Sequence, residues 1–239
     1  MDKQRYLIVV ATYNERDNIA PLVEEIFRQT DPLARNLSAT FDLLVVDDNS
    51  PDGTGIWCDE NAARYPRLKC LHRTGKNGLG TAVVEAMEYA IRERYDRMIN
   101  MDADFSHPPR YLPDLCVPMA DVVIGSRYTS GGKILGWPWY RHLMSRCMNA
   151  FGRALLGLQV RDISGSYRNY AVEKLREIDF SKIQSHGYSF FEEILWRLQL
   201  AGATLEEIPI TFEDRVRGNS KINWRESLSA VRTLLTLKR

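Results

Sequence analysis

The sequence predicts an α/β fold with a mainly parallel, Rossmann-like sheet flanked by helices. Two observations predict it. Short apolar runs alternate with longer stretches of helical periodicity through the first half of the chain, the pattern of strand–helix–strand crossovers. Each apolar run also ends in polar residues, and in such sheets ligands bind outside the carboxyl ends of the strands.

The elements follow in order. The apolar run at 6–11 reads as a buried strand and leads into Thr12-Tyr13-Asn14-Glu15. A helical pattern at 18–29 precedes a strand at 41–47, which ends in Asp47-Asp48-Asn49-Ser50-Pro51-Asp52-Gly53. A helix at 55–65 and a strand at 68–72 come next, then Arg73 and the glycine loop Gly75-Lys76-Asn77-Gly78-Leu79-Gly80. In the helix at 80–94, Ala82, Val83, Ala86, Met87 and Ala90 share one face, and Arg92, Glu93 and Arg94 close it. The strand at 97–101 ends in Asp102-Ala103-Asp104, and that at 121–125 ends in Gly125-Ser126-Arg127. Five consecutive polar strand ends make one site.

The second half reads differently. Residues 122–161 contain no Asp or Glu, where 31 acids in 239 residues would place about five. They carry Arg127, Lys133, Arg141, Arg146, Arg153 and Arg161, interleaved with Trp137, Trp139, Tyr140 and Phe151. A helix at 188–201, a strand at 204–212, a basic loop at 215–221 and a helix from 223 complete the chain.

Composition narrows the class. A hydrophobic share of 44% and a charged share of 26% exclude intrinsic disorder, collagen-like repeats and a disulfide scaffold. Thirty-two basic against 31 acidic residues, a net charge of +1, argue against a general nucleic-acid binder. The four cysteines are far apart with no CxxC pair, which predicts buried reduced thiols in a cytosolic protein and no structural zinc. The N-terminal apolar run is too short for a signal-peptide core. No run of about 18 apolar residues exists to span a membrane. The chain is expected to be soluble or to lie on a surface.

Asp102-Ala103-Asp104 carries the clearest chemistry. Alternating carboxylates at a strand end can chelate one hard divalent cation, with phosphate oxygens and water completing its shell; the alternative is a turn or helix cap. Asp47-Asp48 reads either as a ribose- or base-binding pair or as the start of a turn. Gly75, Gly78 and Gly80 form neither GxGxxG nor a P-loop. Gly80 either presents amides to a phosphate or makes a tight turn. His107 reads as an orienting or structural residue. Arg127, Arg141 with Ser145 one helical turn on, and Arg215, Arg217 and Lys221 form a basic set suited to phosphate oxygens.

Assembled, these residues resemble a GT-A-fold inverting glycosyltransferase of family 2. More narrowly, they resemble the polyprenol-phosphate (dolichol-phosphate) mannosyltransferases. Ala11-Thr12-Tyr13-Asn14-Glu15, the segment Val45 through Thr54, Gly78-Leu79-Gly80-Thr81-Ala82 and Met101-Asp102-Ala103-Asp104 fit the family's motifs in order. Gly125-Ser126-Arg127, Asp162-Ile163-Ser164-Gly165-Ser166-Tyr167-Arg168, Gly187-Tyr188-Ser189-Phe190 with Glu193, and the set Phe212, Arg215, Gly218, Ser220 and Lys221 continue the match. Ala11 replaces the usual Pro, and Ser106 stands where some relatives place a metal-binding Gln.

The resemblance implies a GT-A catalytic domain over 1–222, with a nucleotide-sugar half at 1–127 and an acceptor half at 128–222, followed by an amphipathic helix at 223–239. It implies GDP-mannose as donor, held by Thr12, Tyr13, Glu15, Asp47, Asp48, Asp102, Ala103 and Asp104. Asp102 and Asp104 would also hold Mg²⁺ or Mn²⁺. Arg127, Arg141 and Ser145 would take the phosphate of a polyprenyl or dolichyl phosphate, and Arg215 and Lys221 would close over the donor phosphates. Asp104, Arg127, Arg215 and Lys221 are the implied catalytic residues.

The acceptor is a phosphate monoester, already anionic at neutral pH, so it needs no general base. The product expected is a polyprenyl β-mannosyl phosphate, formed with inversion. A lipid acceptor implies peripheral contact with the cytoplasmic face of a membrane, through residues 136–158 or the last helix. The last helix, with its stripe of Trp224, Leu228, Val231 and Leu235, could instead dock on the core. A separate membrane-anchor protein is left open. Two rivals remain: another nucleotide sugar such as UDP-glucose on the same fold, and a non-catalytic nucleotide-sugar or lipid-phosphate binding module. An NAD-dependent enzyme lacks its glycine fingerprint.

Overall fold

The computed structural model describes residues 3–187, 189–214 and 235–237. The first half alternates as expected: β1 (Gln4–Thr12), α1 (Arg16–Asn36), β2 (Ala39–Asp47), α2 (Thr54–Asn61), β3 (Leu68–His72), α3 (Leu79–Arg92) and β4 (Arg97–Asp102). Then come α4 (Leu112–Leu115), β5 (Val122–Ser126), β6 (Lys133–Leu135), α5 (Trp139–Leu156), β7 (Arg168–Ala171), α6 (Val172–Arg176), α7 (Phe190–Leu200), β8 (Leu205–Pro209) and β9 (Thr211–Glu213).

Seven strands form one sheet in the order β3-β2-β1-β4-β7-β5-β8, with β7 antiparallel to both its neighbours. Along β1, Leu7 and Val9 enter one core cluster while Tyr6, Ile8 and Val10 enter the other. A strand buried on both faces reads as a continuous apolar run, and this is why the parallel sheet was visible in the sequence.

The differences from expectation have local causes. Helix α1 continues past 29 to Asn36, through Pro32, because Leu33 and Ala34 still find apolar contacts under the sheet. The strand expected at 204–212 is two strands. Pro209 ends β8 in the main sheet, and β9 pairs instead with β6; a proline has no N–H to continue a ladder. The cysteines are not uniformly buried: Cys58 is, whereas Cys70 and Cys116 are half-buried and Cys147 is exposed. Of the last helix, only 235–237 are described, with Leu237 in the core and Leu235 half exposed.

Candidate active site

The carboxyl ends of β1, β2, β4 and β5 meet at one edge of the sheet. Because β7 runs the other way, the loop that precedes it, 162–167, arrives at the same edge.

On the β1–β2 side the two loops are laced together. Asp47 accepts from the Thr12 hydroxyl (3.0 Å), the Ser50 amide (3.0 Å) and the Ser50 hydroxyl (2.6 Å). Asp52 accepts from the Arg16 amide at 2.9 Å and the Thr54 hydroxyl at 2.6 Å. Thus Asp47 closes a turn, and Thr12 is engaged with it. Asp48 is buried and ion-paired with Arg73, which also donates to the Thr81 hydroxyl at 2.7 Å. Burial raises the Asp48 carboxyl above its usual range, with Arg73 opposing. Tyr13 is covered by Lys76, whose Nζ lies 4.2 Å from the ring centre, and Glu15 accepts from Asn18 at 2.7 Å. The glycine loop resolves as packing. The Gly80 amide donates to the His186 carbonyl (2.9 Å), and a Cβ on Gly78 would lie 2.4 Å from that oxygen.

At the end of β4, Asp102 and Asp104 are oriented separately. Asp102 Oδ1 accepts from the Ser166 hydroxyl at 2.8 Å, and its amide donates to Nδ1 of His107 at 3.1 Å. His107 is buried and stacks on Tyr167, with ring centres 5.0 Å apart. Burial lowers its pKa, and the ring, accepting from the Asp102 amide at Nδ1, orients the strand end. Asp104 Oδ1 accepts from the Ser106 hydroxyl at 2.5 Å and its amide at 3.1 Å. Ala103 is buried in the core and spaces the two carboxylates. Two carboxylates, each accepting from a serine hydroxyl, offer hard oxygen donors, which fit Mg²⁺ or Mn²⁺ rather than a softer ion.

At the end of β5, Arg127 makes a bidentate pair with Asp162, Nε and Nη2 each 2.7 Å from a carboxylate oxygen, and reaches the Ser164 hydroxyl at 2.9 Å. Burial alone would raise the Asp162 carboxyl; Arg127 more than offsets this and holds it below its usual range. Arg141 lies 4.0 Å from the Trp137 ring centre and 3.4 Å from Asp214. Ser145 shares a 2.6 Å hydrogen bond with Tyr128. Hence the acid-free stretch is partly neutralised by acids from outside it. Sequence reasoning gave no role to Asp162, Ser166 or Tyr128. It assigned Arg127, Arg141 and Ser145 to one phosphate, and each has a protein partner here. Arg215 and Lys221 lie outside the described residues.

Beside Arg127 a cavity of about 320 Å³ is lined by Arg127, Tyr128, Gly132, Lys133, Ile134, Leu135, His142 and Arg146. No acid lines it. Lys133 and Arg146 were visible only as members of the basic stretch. Deeper in, Glu192 is buried, its Oε2 without a hydrogen-bond partner among the described residues.

Residues 7–179 match the family described as Glycosyl transferase family 2. The chain belongs to that family. It is a glycosyltransferase, and its fold is GT-A. The family 2 relatives include the polyprenol monophosphomannose synthase of Mycolicibacterium smegmatis, 40% identical over 95% of this chain and 86% of that protein. The undecaprenyl-phosphate mannosyltransferase of Micrococcus luteus is 42% identical over 92% of this chain and 88% of its own length. Solved structures of the same fold include glucosyl-3-phosphoglycerate synthase from Mycobacterium tuberculosis with Mn²⁺, UDP and phosphoglyceric acid. Its TM-score is 0.66 at 18% identity, covering 98% of this chain and 78% of that one. A mannosyltransferase from Pyrobaculum calidifontis, in complex with GDP-Man and Mn²⁺, has a TM-score of 0.58 at 17% identity, covering 95% and 61%.

Proposed function

We propose that this family 2 enzyme transfers mannose from GDP-mannose to a polyprenyl (dolichyl-type) phosphate, with inversion, to give a polyprenyl β-mannosyl phosphate. The observation that carries the proposal is the cavity beside Arg127. Three permanent cations, Arg127, Lys133 and Arg146, face it together with Tyr128, Ile134 and Leu135, and among the described residues no carboxylate does. A phosphate on an apolar tail meets both kinds of surface there. The names of the two mannosyl-transferring relatives support the same acceptor class, and the fold neighbour bound to GDP-Man supports the donor.

In this reading Tyr13 and Glu15 contact the nucleoside, while Thr12, Asp47, Asp48 and Ala103 give the donor site its shape. Asp102 and Asp104 would hold Mg²⁺ or Mn²⁺, which when bound supplies positive charge to the leaving diphosphate. Arg127, Arg141 and Ser145 orient the acceptor phosphate, and Arg215 and Lys221 add charge over the donor. The acceptor's second ionisation lies near pH 6, so its own oxygen attacks the sugar without a general base.

The acceptor's lipid tail calls for peripheral contact with the cytoplasmic face of a membrane. Helix α5 exposes Trp139 (76%), Tyr140, Leu143 and Met144 beside Arg146, a combination suited to the headgroup boundary. Among the described residues no helix is long and apolar enough to cross a membrane.

The test is transfer of radiolabelled sugar from GDP-mannose, and separately from UDP-glucose, to polyprenyl phosphate in detergent with Mg²⁺. Label from GDP-mannose alone is expected, abolished by EDTA and reduced on the order of 10²–10³-fold by Asp104→Ala, the loss typical of removing one charge-stabilising group. Label from UDP-glucose alone overturns the donor. GDP-mannose bound without transfer overturns the reaction.

A further inference from the structure

A second cluster of ligand atoms lies at the edge of the sheet, away from the Asp102–Asp104 pair. Helix α2 carries Cys58 and Asp59, and the edge strand β3 carries Cys70 and His72. Residues 70 and 72 project from the same face of their strand, and Cys70 packs against the core cluster on that face. Cys70 Sγ lies 4.0 Å from Nδ1 of His72, and Nε2 of His72 lies 3.0 Å from Oδ1 of Asp59. One donor atom from each of Asp59, Cys70 and His72 lies within 4.8 Å of the others.

We propose that Asp59, Cys70 and His72 bind one borderline divalent cation of the zinc type, each offering one donor atom. The chemistry of the donors selects the ion. A sulfur, an imidazole nitrogen and a carboxylate oxygen favour Zn²⁺ and disfavour Mg²⁺, which takes oxygens. Three protein ligands leave a fourth position for water. The Cys70 thiol gives its proton to solvent as its sulfur takes up the ion.

The site also braces the donor side. His72 pairs in register with Asp47 across β2 and β3. A Cβ added to Gly55 would lie 2.8 Å from Oδ2 of Asp47 and 3.0 Å from Nδ1 of His72, so both side chains close on the same backbone. An ion joining α2 to β3 therefore stiffens the turn that Asp47 closes, and no step of sugar transfer runs through it. The sequence reading predicts no structural zinc because the chain has no CxxC pair; packing of α2 against β3 gathers a mixed set of Asp59, Cys70 and His72 instead.

Co²⁺ titration of the reduced, chelator-stripped protein tests the site. The expected result is one Co²⁺ per chain with a sulfur-to-cobalt charge-transfer band, unchanged in Asp104→Ala and by excess Mg²⁺. The band is lost in Cys70→Ser. Affinity falls about tenfold or more in Asp59→Asn, which removes the carboxylate charge from the donor set. His72→Gln, at a half-exposed position, weakens binding at least tenfold while leaving the circular dichroism spectrum unchanged, which separates ligation from misfolding. Zn²⁺ raises the melting temperature of the wild type and not of Cys70→Ser. Absence of the band, a band that survives Cys70→Ser, or a Cys58–Cys70 disulfide in freshly purified protein that excludes Co²⁺ would each overturn the assignment.

Discussion

At the ends of β1 and β2, the proposed donor side, the loop acids are satisfied from within: Asp47 by Thr12 and Ser50, Asp52 by Arg16 and Thr54, Asp48 by Arg73. On the proposed acceptor side, Lys133 and Arg146 line a cavity without an acidic partner among the described residues, and α5 turns Trp139 and Leu143 to solvent. A carboxylate saturated by hydroxyls and amides gives a loop its shape and leaves little charge to offer. A cation without a counter-ion keeps its field for an incoming anion. One side is therefore preformed, and the other is built to receive. Arg127 stands at the border, buried and paired with Asp162 yet facing the cavity.

Removing the border partner is expected to have the largest effect. Asp162→Asn leaves the buried Arg127 guanidinium without its counter-charge, and stability measured by urea unfolding should fall by about 3–5 kcal/mol. A loss under about 1 kcal/mol would mean that Arg127 belongs wholly to the open, acceptor side.

Next is Glu192, which burial raises from 4.5 to about 7 against the opposing pull of Arg168 and Arg127. The folded value lies above the unfolded one. The stability present below about pH 4.5 is therefore lost progressively as pH rises through 7. Glu192→Gln should flatten that loss, making the variant about 2–3 kcal/mol more stable than wild type at pH 8 and no more stable at pH 4. Parallel thermal unfolding curves at both pH values would contradict it.

The open side is tested by Lys133→Ala and Arg146→Ala. Each should raise KM for the polyprenyl phosphate about three- to tenfold, the worth of one partly solvated charged hydrogen bond. KM for the nucleotide sugar should stay within twofold, and a shift in both constants would erase the distinction between the two sides. The smallest effect is expected at the exposed helix face. Trp139→Ala with Leu143→Ala should weaken sedimentation with anionic vesicles severalfold and leave the melting temperature within a degree or two.

Much of the fold was legible because its signals are local. The two-faced burial of β1, β2 and β5 appears as unbroken apolar runs, and the helical stripe of α3 appears at its own spacing. Strand β7 was illegible, since Arg168 and Asn169 occupy buried positions in it. Arg168 is tolerated there because its guanidinium donates to the carbonyls of Phe191 and Ile163, both at 2.6 Å, bonds that no sequence window contains. Helix α5 was read as a basic, aromatic stretch without bounds. It has only Asn149, Gly152 and Leu156 buried, too weak a stripe to mark its ends.

The sequence by itself determined the alternation of strands and helices, the Asp102–Asp104 pair at a strand end, and the concentration of cations after β5. These are matters of neighbour spacing, and neighbour spacing is what a chain writes down. Tertiary structure decided which charges are spent and which are kept. Asp162 lies 35 positions from Arg127 and Asp214 lies 73 from Arg141, while Asp59 reaches His72 only because β3 folds back along α2. Electrostatics falls off with distance in space, and only the fold converts separation along the chain into that distance.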